Sequence, residues 1–81
     1  MKLKIISPGA KKEIDIAWIE IHTLVGGFII LPDHAPMVTT LKPNETINFC
    51  LTSGKQESFE SSGGTVEVGR KAVTLLLYSA P

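Results

Sequence analysis

Residues 13–22 read Glu-Ile-Asp-Ile-Ala-Trp-Ile-Glu-Ile-His, and the fold turns on how their apolar positions are spaced. Ile14 and Ile16 share one parity and Ile19 and Ile21 the other, so the alternation slips by one residue at Ala17-Trp18. Successive side chains of a strand point to opposite faces, and apolar alternation of period two therefore marks a strand with one buried face. A slip inside such a run would turn the apolar set outward unless the backbone absorbs the extra residue. It predicts a bulge, or a passage from one sheet to another, at residues 17–18. Trp18 then shares a face with Glu20 and His22, while Ile19 and Ile21 look inward.

The same spacing continues in both directions. Leu3 and Ile5 alternate before Ser7-Pro8-Gly9 breaks the run, and Ile47, Phe49 and Leu51 alternate with Thr46, Asn48 and Cys50. Val66 and Val68 flank Glu67, and Val73, Leu75 and Leu77 alternate further on. Phe28-Ile29-Ile30-Leu31 is a continuous apolar run and predicts a strand covered on both faces. Turn formers fall between the runs: Gly26-Gly27, Pro32-Asp33, Lys42-Pro43-Asn44, Ser53-Gly54-Lys55, Ser61 through Gly64, and Gly69-Arg70. No window carries a helical stripe. The pattern predicts an all-β chain forming one domain over residues 1–81, a small antiparallel β-sandwich or barrel of about eight to ten short strands.

Composition narrows the function classes. Eight basic and eight acidic residues give a formal net charge of zero, which leaves no positive field for nucleic acid or an anionic membrane. No stretch approaches the roughly 20 apolar residues of a membrane span, and the opening Met-Lys-Leu-Lys-Ile-Ile-Ser-Pro-Gly has no signal-peptide core. The one cysteine, Cys50, rules out an internal disulfide and fits a reducing compartment. Asn44-Glu45-Thr46 matches the glycosylation acceptor pattern, and without a secretion signal it carries no weight.

Each chemistry-bearing residue has an ordinary structural reading beside the functional one. His34 stands between Pro32 and Pro36, a rigid turn that aims it in one direction; it is either an interface contact or a loop histidine that satisfies nearby backbone groups. His22, His34, Cys50 and Asp33 share no zinc-site spacing, so no metal and no cofactor is expected. Cys50 lies mid-strand, where a thiol packs rather than reacts, and its parity sets it opposite Ile47 and Phe49. Ser53-Gly54-Lys55 lacks the upstream glycine of a phosphate-binding loop and reads as a hairpin turn, as the two Gly-Gly pairs read as backbone devices. Trp18 is an interface anchor if exposed and a covered second-layer side chain otherwise. The residues alone reach a small β-sandwich with no catalytic constellation and a binding or structural role.

Several segments, in order, resemble the N-terminal β-sandwich domain of the epsilon subunit of F-type ATP synthases. Leu3-Lys4-Ile5-Ile6-Ser7-Pro8 resembles the family's first strand. Gly26 through Pro36 is similar to its glycine, alternating apolar and Pro-Gly-His-Ala-Pro block, with Asp33 in place of the glycine. Met37 through Pro43, Ser62-Gly63-Gly64-Thr65-Val66-Glu67-Val68 and Ala72 through Ala80 look like the segments that follow, the last as the closing strand. Asp tolerates left-handed backbone better than most residues, so the turn at Asp33 is expected to survive. Other departures are the missing Phe-x-Gly ahead of the second strand, Gly27 for a polar loop residue, and Asn44-Glu45 for a Pro-Gly ending.

The resemblance implies a short form, ending at Pro81 without the family's C-terminal helical hairpin. It further implies a non-catalytic central-stalk rotor subunit that links the gamma subunit to the c-subunit ring and couples proton translocation to ATP synthesis. Such a subunit sits peripherally at the cytoplasmic face of the bacterial inner membrane. Carried over by position, Ser7, His34 and Thr39 are expected toward gamma, and Gly26, Gly27, Lys42, Pro43 and Asn44 toward the c ring. The alternatives are a stand-alone β-sandwich module for a carbohydrate or peptide, and a small cupin-like or hydrolytic enzyme.

Overall fold

The computed structural model describes all 81 residues, Met1 to Pro81. It contains eight strands and no helix: β1 (Lys2–Ser7), β2 (Ala10–Thr23), β3 (Gly26–Ile30), β4 (Met37–Leu41), β5 (Glu45–Leu51), β6 (Gln56–Ser61), β7 (Gly64–Val68) and β8 (Ala72–Leu77). The long strand β2 organises the rest. Its first half pairs with β1, from Lys2↔Asp15 to Ser7↔Ala10. Its second half pairs with β3 on one edge and β5 on the other. The ladder with β5 skips a residue between Ile16 and Trp18, where the sequence slips its period. The bulge returns Ile19 and Ile21 to the interior that Ile16 already faces, and all three are fully buried.

β2 therefore belongs to two layers. One holds its first half with β1, β8, β7 and β4; the other holds β3, the second half of β2, β5 and β6. A single pair, Thr23↔Leu41, returns β4 to β2 and closes the ring of strands, helped by the Lys42 amide donating to the His22 carbonyl at 2.9 Å. The strands are antiparallel except at one place: β1 and β8, the two ends of the sheet-forming chain, run parallel.

Fourteen buried side chains fill the space between the layers, among them Leu3, Ile16, Ile19, Ile21, Ile30 and Leu75 at 0% exposure. Each such side chain stabilises the fold by about 1.5–3 kcal/mol relative to leaving it in water. The run at residues 28–31 departs from the expectation of two covered faces: Ile30 is buried, but Ile29 is 58% and Leu31 55% exposed. The reason is position, because β3 is an edge strand and nothing covers the outer face of its layer. The closing strand likewise ends at Leu77 rather than running to Ala80.

Turn chemistry accounts for the connections. Pro8 and Gly9, the latter at φ +76°, sit inside the closing pair Ser7↔Ala10, as a type II turn requires. Asp33 and Asn44 are the two non-glycine residues with left-handed backbone, at φ +66° and +58°. Both belong to the small group whose short polar side chains tolerate that region. At Asp33 the turn is held by its amide donating to the Arg70 carbonyl at 2.9 Å.

Candidate functional site: a loop corner and an apolar strand edge

Three connections meet at one corner of the sandwich. The tip of the β2–β3 hairpin lies beside the end of β4 through Thr23↔Leu41. The β4–β5 turn lies beside the end of β6, with the Asn44 amide donating to the Ser61 carbonyl at 2.9 Å. The chain leaving β8 returns there as well, the Tyr78 amide donating to the Gly63 carbonyl at 3.1 Å. A Cβ placed at Gly63 would lie 3.2 Å from the Tyr78 ring and 3.4 Å from Pro43, so Gly63 lets both side chains close over the backbone. Gly26, Gly27, Lys42, Pro43 and Asn44 are thus brought together, although Gly27 and Lys42 stand 15 positions apart in sequence.

The corner also carries two residues that the sequence reading passed over. Leu24 and Val25 form the two-residue turn between β2 and β3 and are 72% and 81% exposed. The Thr23 hydroxyl fixes the turn, donating to the Gly26 carbonyl at 2.9 Å and accepting from the Val25 amide at 3.2 Å. Turns ordinarily recruit Gly, Asn, Asp or Ser. A Leu-Val pair between a β-branched strand and Gly-Gly was the available signal.

Ser7, His34 and Thr39 do not form one cluster. Thr39 lies half-buried in the middle of β4, opposite Val66. His34 is in the β3–β4 connection, where Nδ1 donates to the Ala35 carbonyl at 2.7 Å and the amide donates to the Leu31 carbonyl at 3.2 Å. That is the local backbone role weighed for it above. Ser7 ends β1, buried at 8% exposure. β8 and β7 stand between β1 and β4, and three inter-strand spacings put Ser7 about 14 Å from the Thr39 strand. Ser7 instead lines a cleft of about 500 Å³ between the first half of β2 and β6, floored by Ile5, Ile14, Phe49 and Phe59.

The outer face of the second layer is mixed. Trp18 is half-buried opposite Cys50, and the Asn48 side-chain amide donates to Glu20 Oε1 at 2.9 Å. Cys50 is 7% exposed and lies outside the main core cluster, on the face that its parity indicates. Nowhere do three His, Cys, Asp or Glu side chains converge as metal ligands. Three surface ion pairs form: Lys2–Asp15 at 3.0 Å, Lys42–Glu45 at 3.5 Å and Lys4–Glu13 at 3.9 Å. The Asp15 hydrogen bond and charge raise the Lys2 ammonium above the usual lysine range.

Comparison with known proteins places the sequence in a family. The family described as ATP synthase, Delta/Epsilon chain, beta-sandwich domain, matches residues 1–80. The ATP synthase epsilon chain of Xanthomonas campestris pv. campestris (strain B100) is 41% identical over 56 residues, spanning 69% of this chain and 39% of that relative. The epsilon chain of Xylella fastidiosa (strain Temecula1 / ATCC 700964) matches to the same extent. The matched region is thus well under half the length of these relatives. Among solved structures, a chain of the Euglena gracilis mitochondrial ATP synthase, determined as OSCP/F1/c-ring in rotational state 1, superposes with a TM-score of 0.89 at 24% identity. It covers 98% of this chain and 51% of that one. A chain of the Tetrahymena thermophila mitochondrial ATP synthase central stalk/c-ring structure gives 0.81 at 15% identity, covering 98% of this chain and 63% of that one.

Proposed function

The chain belongs to the family of the β-sandwich domain of the ATP synthase delta/epsilon chain, and from that premise we propose that it is a non-catalytic central-stalk subunit joining the gamma subunit to the c-subunit ring. Its work is mechanical: it holds two partners in fixed geometry while torque from proton translocation passes to the catalytic head. It sits peripherally at the cytoplasmic face of the bacterial inner membrane. The family match along residues 1–80 is the observation that carries this reading.

Two structural features support it. Gly26, Gly27, Lys42, Pro43 and Asn44 occupy a single corner, a surface small enough to meet one ring, and they are the ring-facing residues of the proposal. His34 shares the β3–β4 connection with exposed Leu31, which gives gamma an apolar contact beside a polar one, while half-buried Thr39 lies on the Met37–Leu41 face of β4, opposite to exposed Val38. Ser7 completes the gamma-facing set only if gamma also reaches round to the cleft side.

Co-expression with the gamma subunit of the same genome, followed by size-exclusion chromatography, tests the proposal. Co-elution as a one-to-one complex is expected. Separate elution of two well-folded proteins would overturn the central-stalk reading while leaving the fold intact.

A further inference from the structure

The cleft between the first half of β2 and β6 sets an unused hydroxyl and two unpaired charges around an apolar floor. Three polar side chains of the chain are buried: Ser7, Thr23 and Ser61. The Thr23 and Ser61 hydroxyls bond to backbone in their own turns, whereas the Ser7 hydroxyl has no partner within the chain. Its residue is only 8% exposed. No fully enclosed side-chain polar atom lacks a partner, so this hydroxyl opens onto the cleft that Ser7 lines. Directly paired residues of two strands share a face. Lys12 is paired with buried Ile5, and Glu57 with buried Phe49, so both point inward, from opposite walls of the cleft they line. Neither takes part in an ion pair, and the space between them is open to a third group. The remaining charged residue of the lining, Lys11, alternates to the outer face of β2 and stands at the rim.

We propose that this cleft binds a free amino acid with an aromatic side chain, its carboxylate toward Lys12, its ammonium toward Glu57 and its ring on the Phe49–Phe59 floor. The charges select a zwitterion: an amine or a carboxylate alone answers one wall and leaves the other unmatched, and a peptide terminus carries only one of the two charges. The floor selects an aromatic ring. Phe49 and Phe59 meet edge to face, with ring centroids 6.2 Å apart and planes at 62°, and a third ring extends such a cluster. The Ser7 hydroxyl supplies the hydrogen bond that an incoming carboxylate or ammonium needs on leaving water. The volume of about 500 Å³ lies within the roughly 300–1,000 Å³ of small-molecule sites. The site goes beyond the central-stalk reading and is measured on the chain without gamma. His34 and Thr39 take no part in it, so gamma binding and ligand binding can each fail alone.

Titration of the isotope-labelled chain, followed by amide chemical shifts, tests the site with four probes: L-phenylalanine, 3-phenylpropionate, 2-phenylethylamine and glycine. L-Phenylalanine is expected to saturate with a dissociation constant of about 1–10 mM, as suits a ligand of about a dozen heavy atoms in an open cleft. Its shifts should be confined to the ends of β1, β2 and β6 that line the cleft. The two singly charged probes should bind about threefold or more weakly, the scale of one exposed charge pair, and glycine should not bind. Glu57→Gln is expected to weaken L-phenylalanine to the level of 3-phenylpropionate while leaving 3-phenylpropionate itself unchanged; Lys12→Gln should do the same with respect to 2-phenylethylamine. Both positions are exposed, and the wild-type probe series stands without either variant. No saturable shift up to about 50 mM, shifts centred away from the cleft, equal affinity for the three aromatic probes, or variants that leave the L-phenylalanine preference intact would each overturn the proposal.

Discussion

Gly64 opens β7 opposite Leu77, with Leu41 on its other side, and has φ +149°. Replacing it by alanine tests the closure of the first layer. The added Cβ would be driven against the Leu76 carbonyl oxygen, and would lie 2.9 Å from the carbonyl carbon of that group and 2.9 Å from Leu77 Cα. All three atoms are backbone, so no side-chain rotation relieves the clash; β8 must move away from β7. The backbone conformation alone costs an L-residue about 1–2 kcal/mol. Displacing the end of the ladder forfeits further hydrogen bonds at about 1 kcal/mol each, plus packing of the buried Leu77. Together these reach about 4 kcal/mol, the exceptional end of single substitutions, against a total of about 4–12 kcal/mol for a domain this size. At about 4–8 °C per kcal/mol, thermal unfolding followed by circular dichroism should fall by about 20 °C or more. Gly54→Ala is the internal control. It also has positive φ, at +96°, but a Cβ there meets nothing within 4 Å, so only the conformational cost of about 1–2 kcal/mol applies. If Gly64→Ala costs no more than Gly54→Ala, the close approach of β7 and β8 is not what requires glycine, and the reasoning fails.

Three other outcomes are expected. Thr39→Arg should weaken co-elution with gamma by about tenfold or more while the circular dichroism spectrum stays that of the wild type; unchanged affinity would remove Thr39 from the interface. The Lys2 ammonium is raised above 10.5 by its Asp15 partner, so its stabilising contribution is complete below that pH and lost as pH rises through the higher folded value. The urea midpoint gap between wild type and Asp15→Asn should accordingly be present at neutral pH and shrink in strong alkali, and a gap that widens there would contradict the sign. Cys50, buried at 7% exposure with Sγ donating to the Leu51 carbonyl at 3.5 Å, should react with a thiol reagent slowly in buffer and fully in denaturant; immediate native reaction would place it at the surface.

Local features were legible in the sequence to the extent that their physics is local. The period slip at Ala17-Trp18 announced a bulge because side-chain alternation has no slack, and the ladder breaks between Ile16 and Trp18. Asp33, standing where the resembling family has glycine, was expected to hold its turn, and it does so at φ +66°. The continuous run Phe28–Leu31 was misread because burial on both faces and an apolar edge strand produce the same string. Only the sheet order separates them, and no strand states that order locally. The parallel β1–β8 pair was illegible for the same reason: it joins strands separated by nearly the whole chain. Of the site residues, the Gly26–Gly27 and Lys42–Asn44 loops were grouped only through the family resemblance, and the pair Thr23↔Leu41 supplies the physical reason they adjoin; the distance between Ser7 and Thr39 depends on the two strands lying between them.

The closure also bears on how the proposed central-stalk part would carry load. In a sandwich of two separate sheets, the layers resist sliding only through side-chain packing. Here β2 runs through both layers and β4 rejoins it at Thr23, so a force applied at the loop corner enters backbone hydrogen bonds in each layer at once. Sliding one layer over the other would have to bend β2 between Ile16 and Ile19, both at 0% exposure, and a close-packed interior transmits such strain rather than absorbing it. The exposed Leu24-Val25 turn and the unpaired edge of β3 lie outside that ring of strands. Rigidity in the ring with apolar surface left on the hairpin is the division expected of a part that is gripped on its periphery and must not deform within.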